Sequence, residues 1–369
     1  MSIDFYLYSR SPIYSGAEKM LLVLAKALGS ISSENNVHLT YSTSDIANNE
    51  YDFIFKRLYK PSLVRVSTRP YKLLLYFLMG FLCFFDSLIF KRKAVFIFND
   101  LESLIINWPM ALFKKSFFYL HDSHKLSNFK ARVICKLISL LVNKILVITK
   151  ERVRLLANIG IMNTVYFPNC VVNNNEVVVK ETKPDEIHCI CIAQITRWKR
   201  IDKSIELFKL LSEKNSNINW YLHICGRPNE SDLEGIEIER NIIRESNLDR
   251  RIIYHGYQED LTPLWRKCQI LISMSENEPF GLALVEALQQ GCYLLSAEGE
   301  GPNEIIGSDN VGKIIINLES LPDWVSKNNE VIINFTSFGG LGQDRLANAH
   351  NFSYENYFER VILVFKNEL

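Results

Sequence analysis

Residues 268–297, CQILISMSENEPFGLALVEALQQGCYLLSA, constrain the fold more than any other stretch of this chain. CQILISMS is a short apolar run of strand type, and CYLLSA is another. Between them, ENEPFG reads as a loop, with Pro279 and Gly281 suited to a turn. That loop passes directly into a helix whose apolar set, Leu284, Val285, Ala287 and Leu288, suits packed first turns. Strand, loop, helix, strand is one parallel crossover unit. In open parallel sheets ligands sit beyond the carboxyl ends of the strands, which is where ENEPFG falls.

The same alternation extends along the chain. Residues 2–8, VHLTYST, YDFIF, AVFIFND, SFFYLHD, KILVIT and VYFPN read as strands, separated by helical stretches such as KARVICKLISLLV and KERVRLLANIG. The polar stretch at about 171–186 reads as a linker. HCICIAQI, NWYLHICG, RIIYHG, CQILISMS and CYLLSA then supply five strands of a second sheet. The expected class is α/β, with two doubly wound parallel-sheet, Rossmann-like domains at 1–170 and 187–351. The tail NFSYENYFERVILVFKNEL reads as an amphipathic helix over about 352–369.

The length of 369 residues allows two or three domains with their own cores, and 48% hydrophobic with 22% charged residues excludes a disordered chain. Eight scattered cysteines form no Cys-x-x-Cys pair and several lie in strand-like runs, so they read as buried thiols of a reducing compartment and not as a zinc site. Charge is uneven. Residues 1–180 hold 23 Lys and Arg against 12 Asp and Glu, a net +11, while the remainder carries −10. A basic half is drawn to anionic lipid, to nucleic acid or to a phosphate-bearing acceptor, unless the asymmetry serves only to attract the two halves to each other. No secretory signal opens the chain. Residues 73–90, LLLYFLMGFLCFFDSLIF, hold one charge, Asp86, between basic flanks. At 18 residues they stand at the lower limit of a membrane span. The preferred reading is a helix partly packed on the sheet and partly inserted in the membrane interface, with a span as the alternative.

A helix start presents unpaired N–H groups and a positive dipole end, which hold a phosphate or diphosphate without a charged side chain. Here that start, at Phe280, Gly281 and Leu282, is bracketed by Glu278 and Glu286. A carboxylate repels phosphate but accepts well from the vicinal hydroxyls of a sugar. The pair therefore points to a molecule with sugar at both ends of a diphosphate, a nucleotide sugar. The plainer alternative is a surface helix with two solvated glutamates.

The run IIYHGYQEDLTPLWRKCQILISMSENEPFGLALVEALQQGCYLLSAEGEGPNEII, residues 252–306, resembles the donor-binding half of the group 1 glycosyltransferases, also called glycosyltransferase family 4, in the order and spacing of its elements. SGAEKMLLVLAKAL, YLHDSH, FPNCV and AQITRWKRID resemble further segments of that family: its Gly-Ala-Glu helix, its histidine segment, the turn leaving the first domain and the phosphate-binding turn opening the second. The resemblance implies the GT-B architecture, two facing Rossmann-like domains with the C-terminal helix packed back on the first. It also implies a retaining transferase that moves a sugar from a UDP- or GDP-sugar to a glycan or lipid-linked acceptor, as in surface polysaccharide assembly.

By resemblance, Glu278 holds hydroxyls of the transferred sugar and Glu286 those of the ribose. Gly256 and Tyr257 lie near the base, and His121 faces the donor sugar. Lys199 meets the diphosphate with the helix start that Pro279 and Phe280 lead into. Gly16, in the turn before the first helix, permits close backbone approach to a ligand; a plain turn glycine is the alternative. The chain departs from the family at Ala193-Gln194, where Gly-Arg is usual, and at Arg200, where a glycine usually follows the lysine. Arg197 is the candidate substitute for the missing arginine, or else a solvated turn residue.

No Asp-x-Asp is present, and His121-x-x-His124 lacks a third ligand, so neither a cofactor nor a metal is expected. Glu304 is a lesser candidate. The expected location is cytoplasmic and peripheral, with the basic half on an anionic membrane surface and no nucleic acid as partner. Two other classes stand beside this reading. A nicotinamide enzyme is disfavoured because no Gly-x-Gly-x-x-Gly follows a strand. A catalytically silent protein that kept the fold and binds a sugar nucleotide or glycan draws support from Gln194.

Overall fold

The computed structural model describes residues 3–9, 16–32, 34–41, 63–65, 93–121, 128–172, 177–337 and 343–365. The chain divides into two compact units, Met1–Cys170 together with Tyr354–Leu369, and Val171–Ser353.

In the first unit the elements are β1 (Ile3–Tyr8), α1 (Gly16–Ile31), β2 (Asn36–Tyr41), β3 (Leu63–Arg65), β4 (Lys93–Phe98), α2 (Leu101–Ile106), α3 (Trp108–Phe113), β5 (Lys115–Leu120), α4 (Phe129–Leu141), β6 (Lys144–Val147), α5 (Lys150–Asn158) and β7 (Thr164–Tyr166). All strands pair in parallel in the order β3-β2-β1-β4-β5-β6-β7. The order reverses between β1 and β4, the central strands, and both are buried along nearly their whole length. That double burial explains why AVFIF is a continuous apolar run and why IDFYLY is broken only by Asp4, whose carboxylate accepts from Asn36 at 2.6 Å. Tyr6 stacks on Phe96 at 5.1 Å between ring centroids, and Tyr8 on Phe98 at 5.6 Å.

The helix Tyr354–Phe365 belongs to this unit. It buries Tyr357, Val361 and Phe365, spaced four residues apart on one face. Phe365 meets Phe5 edge-on at 5.9 Å and Phe117 at 4.7 Å, while Tyr357 meets Phe167 at 5.0 Å. Asp100 caps α2 by accepting from the Ser103 N–H at 2.8 Å.

The second unit contains β8 (Glu186–Ile192), a 3-10 turn (Arg197–Lys199), α6 (Ile201–Lys214), β9 (Asn219–Cys225), α7 (Leu233–Leu248), β10 (Ile252–Gly256), α8 (Thr262–Trp265), β11 (Cys268–Ser273), α9 (Leu282–Gln289), β12 (Tyr293–Ala297), α10 (Glu300–Ile306) and β13 (Gly312–Ile315). α11 (Leu321–Ser337) and α12 (Gln343–His350) complete it. Its sheet is parallel throughout, ordered β10-β9-β8-β11-β12-β13, with the reversal between β8 and β11. One face is sealed by α6 and α11 through Phe208, Leu211, Leu321 and Val325, against Trp220, Leu222 and Ile272 of the sheet.

On adjacent strands of this sheet stands a row of three histidines. His188 Nδ1 lies 2.9 Å from His223 Nε2, and His223 Nδ1 lies 2.9 Å from His255 Nε2. At the far end His188 Nε2 is 3.4 Å from Glu186 Oε2. Burial, with His188, His255 and Lys267 adding to it, pushes His223 down to about 3.

Several expectations meet the structure differently. The second sheet has six strands, one more than expected, since β13, with the four-residue sequence GKII, is too short to stand out as a strand. Residues 177–185, polar enough to read as linker, are fastened to the second unit. The Val178 N–H donates to Gln290 Oε1 at 3.1 Å, and Lys180 Nζ donates to the carbonyls of Trp265 at 2.8 Å and Cys268 at 2.7 Å. The strand expected at 51–55 and the apolar segment 73–90 lie outside the described residues, as does His124. No helix among the described residues is long and apolar enough to cross a membrane. The seven cysteines among the described residues are all free thiols.

Candidate functional site

The reversal of strand order between β8 and β11 brings two loops together at the carboxyl edge of the second sheet. The loop after β8 ends in the 3-10 turn that carries Lys199, and the loop after β11 carries Glu278. Lys199 Nζ lies 2.6 Å from Glu278 Oε2, with side-chain exposures of 17% and 11%. The same ammonium sits 3.9 Å from the centroid of the Trp198 ring, so it is held between a carboxylate and an aromatic face. The Glu276 N–H donates to the Trp198 carbonyl at 2.7 Å, which ties the two loops at the backbone.

Arg200 explains why a glycine is usual at its position: it adopts φ 44°, in the left-handed region. An arginine there carries a strain of about 1 kcal/mol. Its guanidinium, held charged by Asp202 and Glu276, offsets that strain by pairing with Glu276 Oε1 at 2.6 Å across the two loops. Arg197 is placed elsewhere, with Nη1 3.4 Å from Glu234 on α7 and 82% of its side chain exposed. Gln194 is exposed.

The start of α9 is built by Gly281, whose φ of 94° turns the chain into the helix. Phe280 is buried and meets Phe352 edge-on at 5.6 Å, so it anchors the loop from below. Leu284 and Val285 donate their N–H groups to the Gly281 carbonyl, which leaves the preceding N–H groups as the ones a helix start offers to an anion. Pro279 and Leu282 are half-buried, and Glu286 stands half-buried one turn further along α9.

The Gly299–Gly301 turn supports this loop. A Cβ at Gly301 would stand 2.0 Å from the Phe280 carbonyl oxygen, and the Gly301 N–H reaches the Glu278 carbonyl at 3.4 Å. Glu304 follows within α10.

The neighbouring strand ends extend the same edge. β10 closes at Gly256 with φ 65°, and its carbonyl accepts from the Gly226 N–H at 2.8 Å. Tyr257, 62% exposed, has the Arg227 guanidinium 5.0 Å from its ring centroid. Trp198 and Arg227 stand beside the candidate residues Lys199 and Tyr257 without being singled out by the sequence. The signal for Arg227 was its place directly after a strand that ends in glycine.

In the first unit, Gly16 opens α1, and Glu18 is buried with Ser9 Oγ donating to it at 3.3 Å. His121 follows β5 directly, with Nε2 2.9 Å from Asn99 Oδ1 at the end of β4. Burial pushes the His121 imidazole down to about 3, so it is neutral at physiological pH. With Nε2–H donated to Asn99, Nδ1 is a bare acceptor, and it is buried without a partner among the described residues. The Tyr119 ring lies 4.0 Å from it, centroid to centroid. Among the described residues no group of three or more His, Cys, Asp or Glu is disposed to hold a metal ion.

Two parallel doubly wound units define the architecture of the GT-B glycosyltransferases. The chain matches the structure of Anabaena Alr3699/HepE in complex with UDP-glucose over 99% of both chains, with a TM-score of 0.73 at 14% identity. It matches the apo lipopolysaccharide outer core galactosyltransferase WaaB over 99% of both chains, with a TM-score of 0.69 at 18% identity. Within that fold, residues 173–325 match the model of the family described as Glycosyl transferases group 1. Among curated proteins the chain is 24% identical over 233 residues to poly(ribitol-phosphate) alpha-N-acetylglucosaminyltransferase of Staphylococcus aureus, covering 61% of this chain and 44% of that protein. It is 25% identical over 145 residues to GDP-Man:Man(3)GlcNAc(2)-PP-Dol alpha-1,2-mannosyltransferase of Caenorhabditis elegans, covering 38% of this chain and 30% of that one. The chain thus spans less than half the length of these curated relatives.

Proposed function

We propose that the protein is a retaining glycosyltransferase that moves a sugar from a UDP- or GDP-sugar to a glycan or lipid-linked acceptor in surface polysaccharide assembly. The observation that carries this reading is the Lys199–Glu278 pair at the switch point of the second sheet, beside the start of α9. Transfer makes the departing nucleoside diphosphate more negative as the glycosidic bond breaks. Lys199 and the N–H groups at Phe280 to Leu282 meet that charge. Glu278 accepts from hydroxyls of the transferred sugar and Glu286 from those of the ribose, while Tyr257 with Arg227 offers a platform to the base. Arg197, freed from an exposed pair worth at most about 1 kcal/mol, turns to the diphosphate. His121, neutral and with a bare Nδ1, accepts from a sugar hydroxyl and carries no charge into the reaction.

With the diphosphate met by Lys199 and backbone dipoles, turnover requires no divalent metal. The names of the relatives agree in kind: a poly(ribitol-phosphate) alpha-N-acetylglucosaminyltransferase, a galactosyltransferase of the lipopolysaccharide outer core, and a protein in complex with UDP-glucose. The acceptor is placed on the inner face of a membrane, where lipid-linked glycans are built.

The test is a panel of UDP- and GDP-sugars screened for a rise in melting temperature, followed by release of nucleotide with membranes as acceptor and after exhaustive chelation. A ligand at 100 times its dissociation constant stabilises by about 2.7 kcal/mol, which is easily read. Stabilisation without nucleotide release would favour a silent binding protein, the reading supported by the exposed Gln194. No stabilisation by any member of the panel removes both.

A further inference from the structure

α4 is apolar on two opposite faces. Ala131 and Ile138 are buried toward the sheet, with Cys135 half-buried between them. On the other side Phe129, Val133, Leu137 and Leu140 are exposed, Phe129 to 77% and Leu140 to 76%. Positions i, i+4, i+8 and i+11 fall within about 80° of one another on a helix of 3.6 residues per turn, so these four form one stripe. A helix with apolar residues on two opposite faces ordinarily has both covered, and here the outer one is exposed. α3, which packs beside α4, adds exposed Trp108, Leu112 and Phe113. Singly exposed apolar residues need no explanation, but a patch carried by two neighbouring helices does.

The charges around the stripe indicate what covers it. Lys130 lies on one side of the line and Arg132 with Lys136 on the other, all three exposed. Residues 101–150 contain eight Lys and Arg against two Asp and Glu. A second copy meeting this face across a twofold axis would set the same cations against each other. An anionic bilayer satisfies both features at once, since the apolar stripe enters the headgroup boundary and the cations meet lipid phosphates. Trp108, Phe113 and Phe129 are side-chain types found on the apolar face of interfacial helices.

We infer that the α3–α4 face of the first unit docks on an anionic membrane surface, with Phe129, Val133, Leu137 and Leu140 inserted and Lys130, Arg132 and Lys136 on headgroups. This deepens the function proposed above by assigning its membrane contact to a face, and depends on that function only for where the acceptor is held. The experiment reads binding without turnover, so the two fail separately.

Flotation of the full chain with phosphatidylglycerol/phosphatidylethanolamine vesicles and with phosphatidylcholine vesicles, at low and high salt, tests it. Wild type is expected to float with the anionic vesicles only and to be released by salt. The variant Phe129→Gln with Leu137→Gln and Leu140→Gln, and the variant Lys130→Gln with Arg132→Gln and Lys136→Gln, are each expected to lose at least tenfold in binding. Both should keep the melting temperature of wild type, because the side chains are exposed. As a measurement that does not rely on multiple substitutions, Phe129→Cys carrying a polarity-sensitive dye should shift to the blue on anionic vesicles. Absence of wild-type binding, wild-type binding by both variants, no dye shift, or a wild-type dimer that the apolar variant converts to monomer would each overturn the assignment.

Discussion

Lys199→Met should weaken UDP and GDP binding far more than loss of one hydrogen bond, because of what it leaves behind. In the free protein Lys199 and Glu278 neutralise each other at 2.6 Å in a corner where both are nearly enclosed. An arriving diphosphate brings about two negative charges to the same ammonium. Removing the lysine forfeits a charge-assisted contact of about 1.5–3 kcal/mol. It also leaves the Glu278 carboxylate facing the diphosphate unscreened; two unit charges 4 Å apart interact by about 4 kcal/mol at an effective dielectric of 20, an upper bound near solvent. The expected loss is about 3 kcal/mol or more, at least two decades in Kd.

Glu278→Gln alone should leave UDP binding unchanged or tighter, since free UDP has no transferred sugar to occupy the glutamate and Lys199 is released. Lys199→Met with Glu278→Gln should recover about 1–2 kcal/mol relative to Lys199→Met, the non-additivity expected of residues in contact. Isothermal titration with UDP and GDP at fixed ionic strength measures all four corners of the cycle. A Lys199→Met affinity within twofold of wild type, or a Glu278→Gln loss as large as that of Lys199→Met, would refute the reasoning.

Glu286→Ala should raise the dissociation constant for nucleotide while Glu278→Ala chiefly lowers kcat, because the ribose contact is common to ground and transition states and the sugar contact orients the reacting centre; steady-state kinetics with both variants decides. Gly301→Ala should cost about 1–3 kcal/mol or more and weaken nucleotide binding with it, because its Cβ is driven into the Phe280 carbonyl, a backbone group that cannot rotate away. Thermal melting and titration should move together. For the histidine row, the folded imidazole of His223 binds its proton only near about 3, against about 6.5 for an unfolded histidine. Between those values the unfolded chain holds more protons, so stability is full above about pH 6.5 and is lost as pH falls toward 3. The urea midpoint should therefore drop between pH 7.5 and 5, less steeply in His223→Gln; identical slopes would remove the row as the cause.

The parts of this molecule legible in its sequence are those where one local rule suffices. ENEPFGLALVEALQQG announces a helix start because Gly281, the apolar set and two flanking strands each speak for it, and the strands of both sheets stand out because most are buried on two faces. What escaped depends on pairing across the sheet. That Lys199 meets Glu278 requires β8 to lie beside β11, and that three histidines touch requires the register that sets Ile253 opposite His223 and His223 opposite Ile190. Nothing in HCICI, YLHIC or IIYHG taken alone contains that information. The stretch that holds Lys180 reads as a linker for a related reason: only the fold brings the carbonyls of Trp265 and Cys268 to that ammonium. Arg200 shows the converse, a departure from the usual glycine that became intelligible only once its φ and its partner Glu276 were visible.

The helix Tyr354–Phe365 gives the first unit a history that the second does not share. Its core is closed by Tyr357, Val361 and Phe365, yet the ribosome makes all of Val171–Ser353 before it reaches them. The unit begun first is therefore finished last. While the second unit emerges as one uninterrupted segment able to fold on the way out, Phe5, Phe117 and Phe167 wait with an apolar face uncovered, the state in which nascent chains engage chaperones or aggregate. A stop codon at 354 would remove less than a twentieth of the chain and none of the second unit, and would strand the first without its final layer.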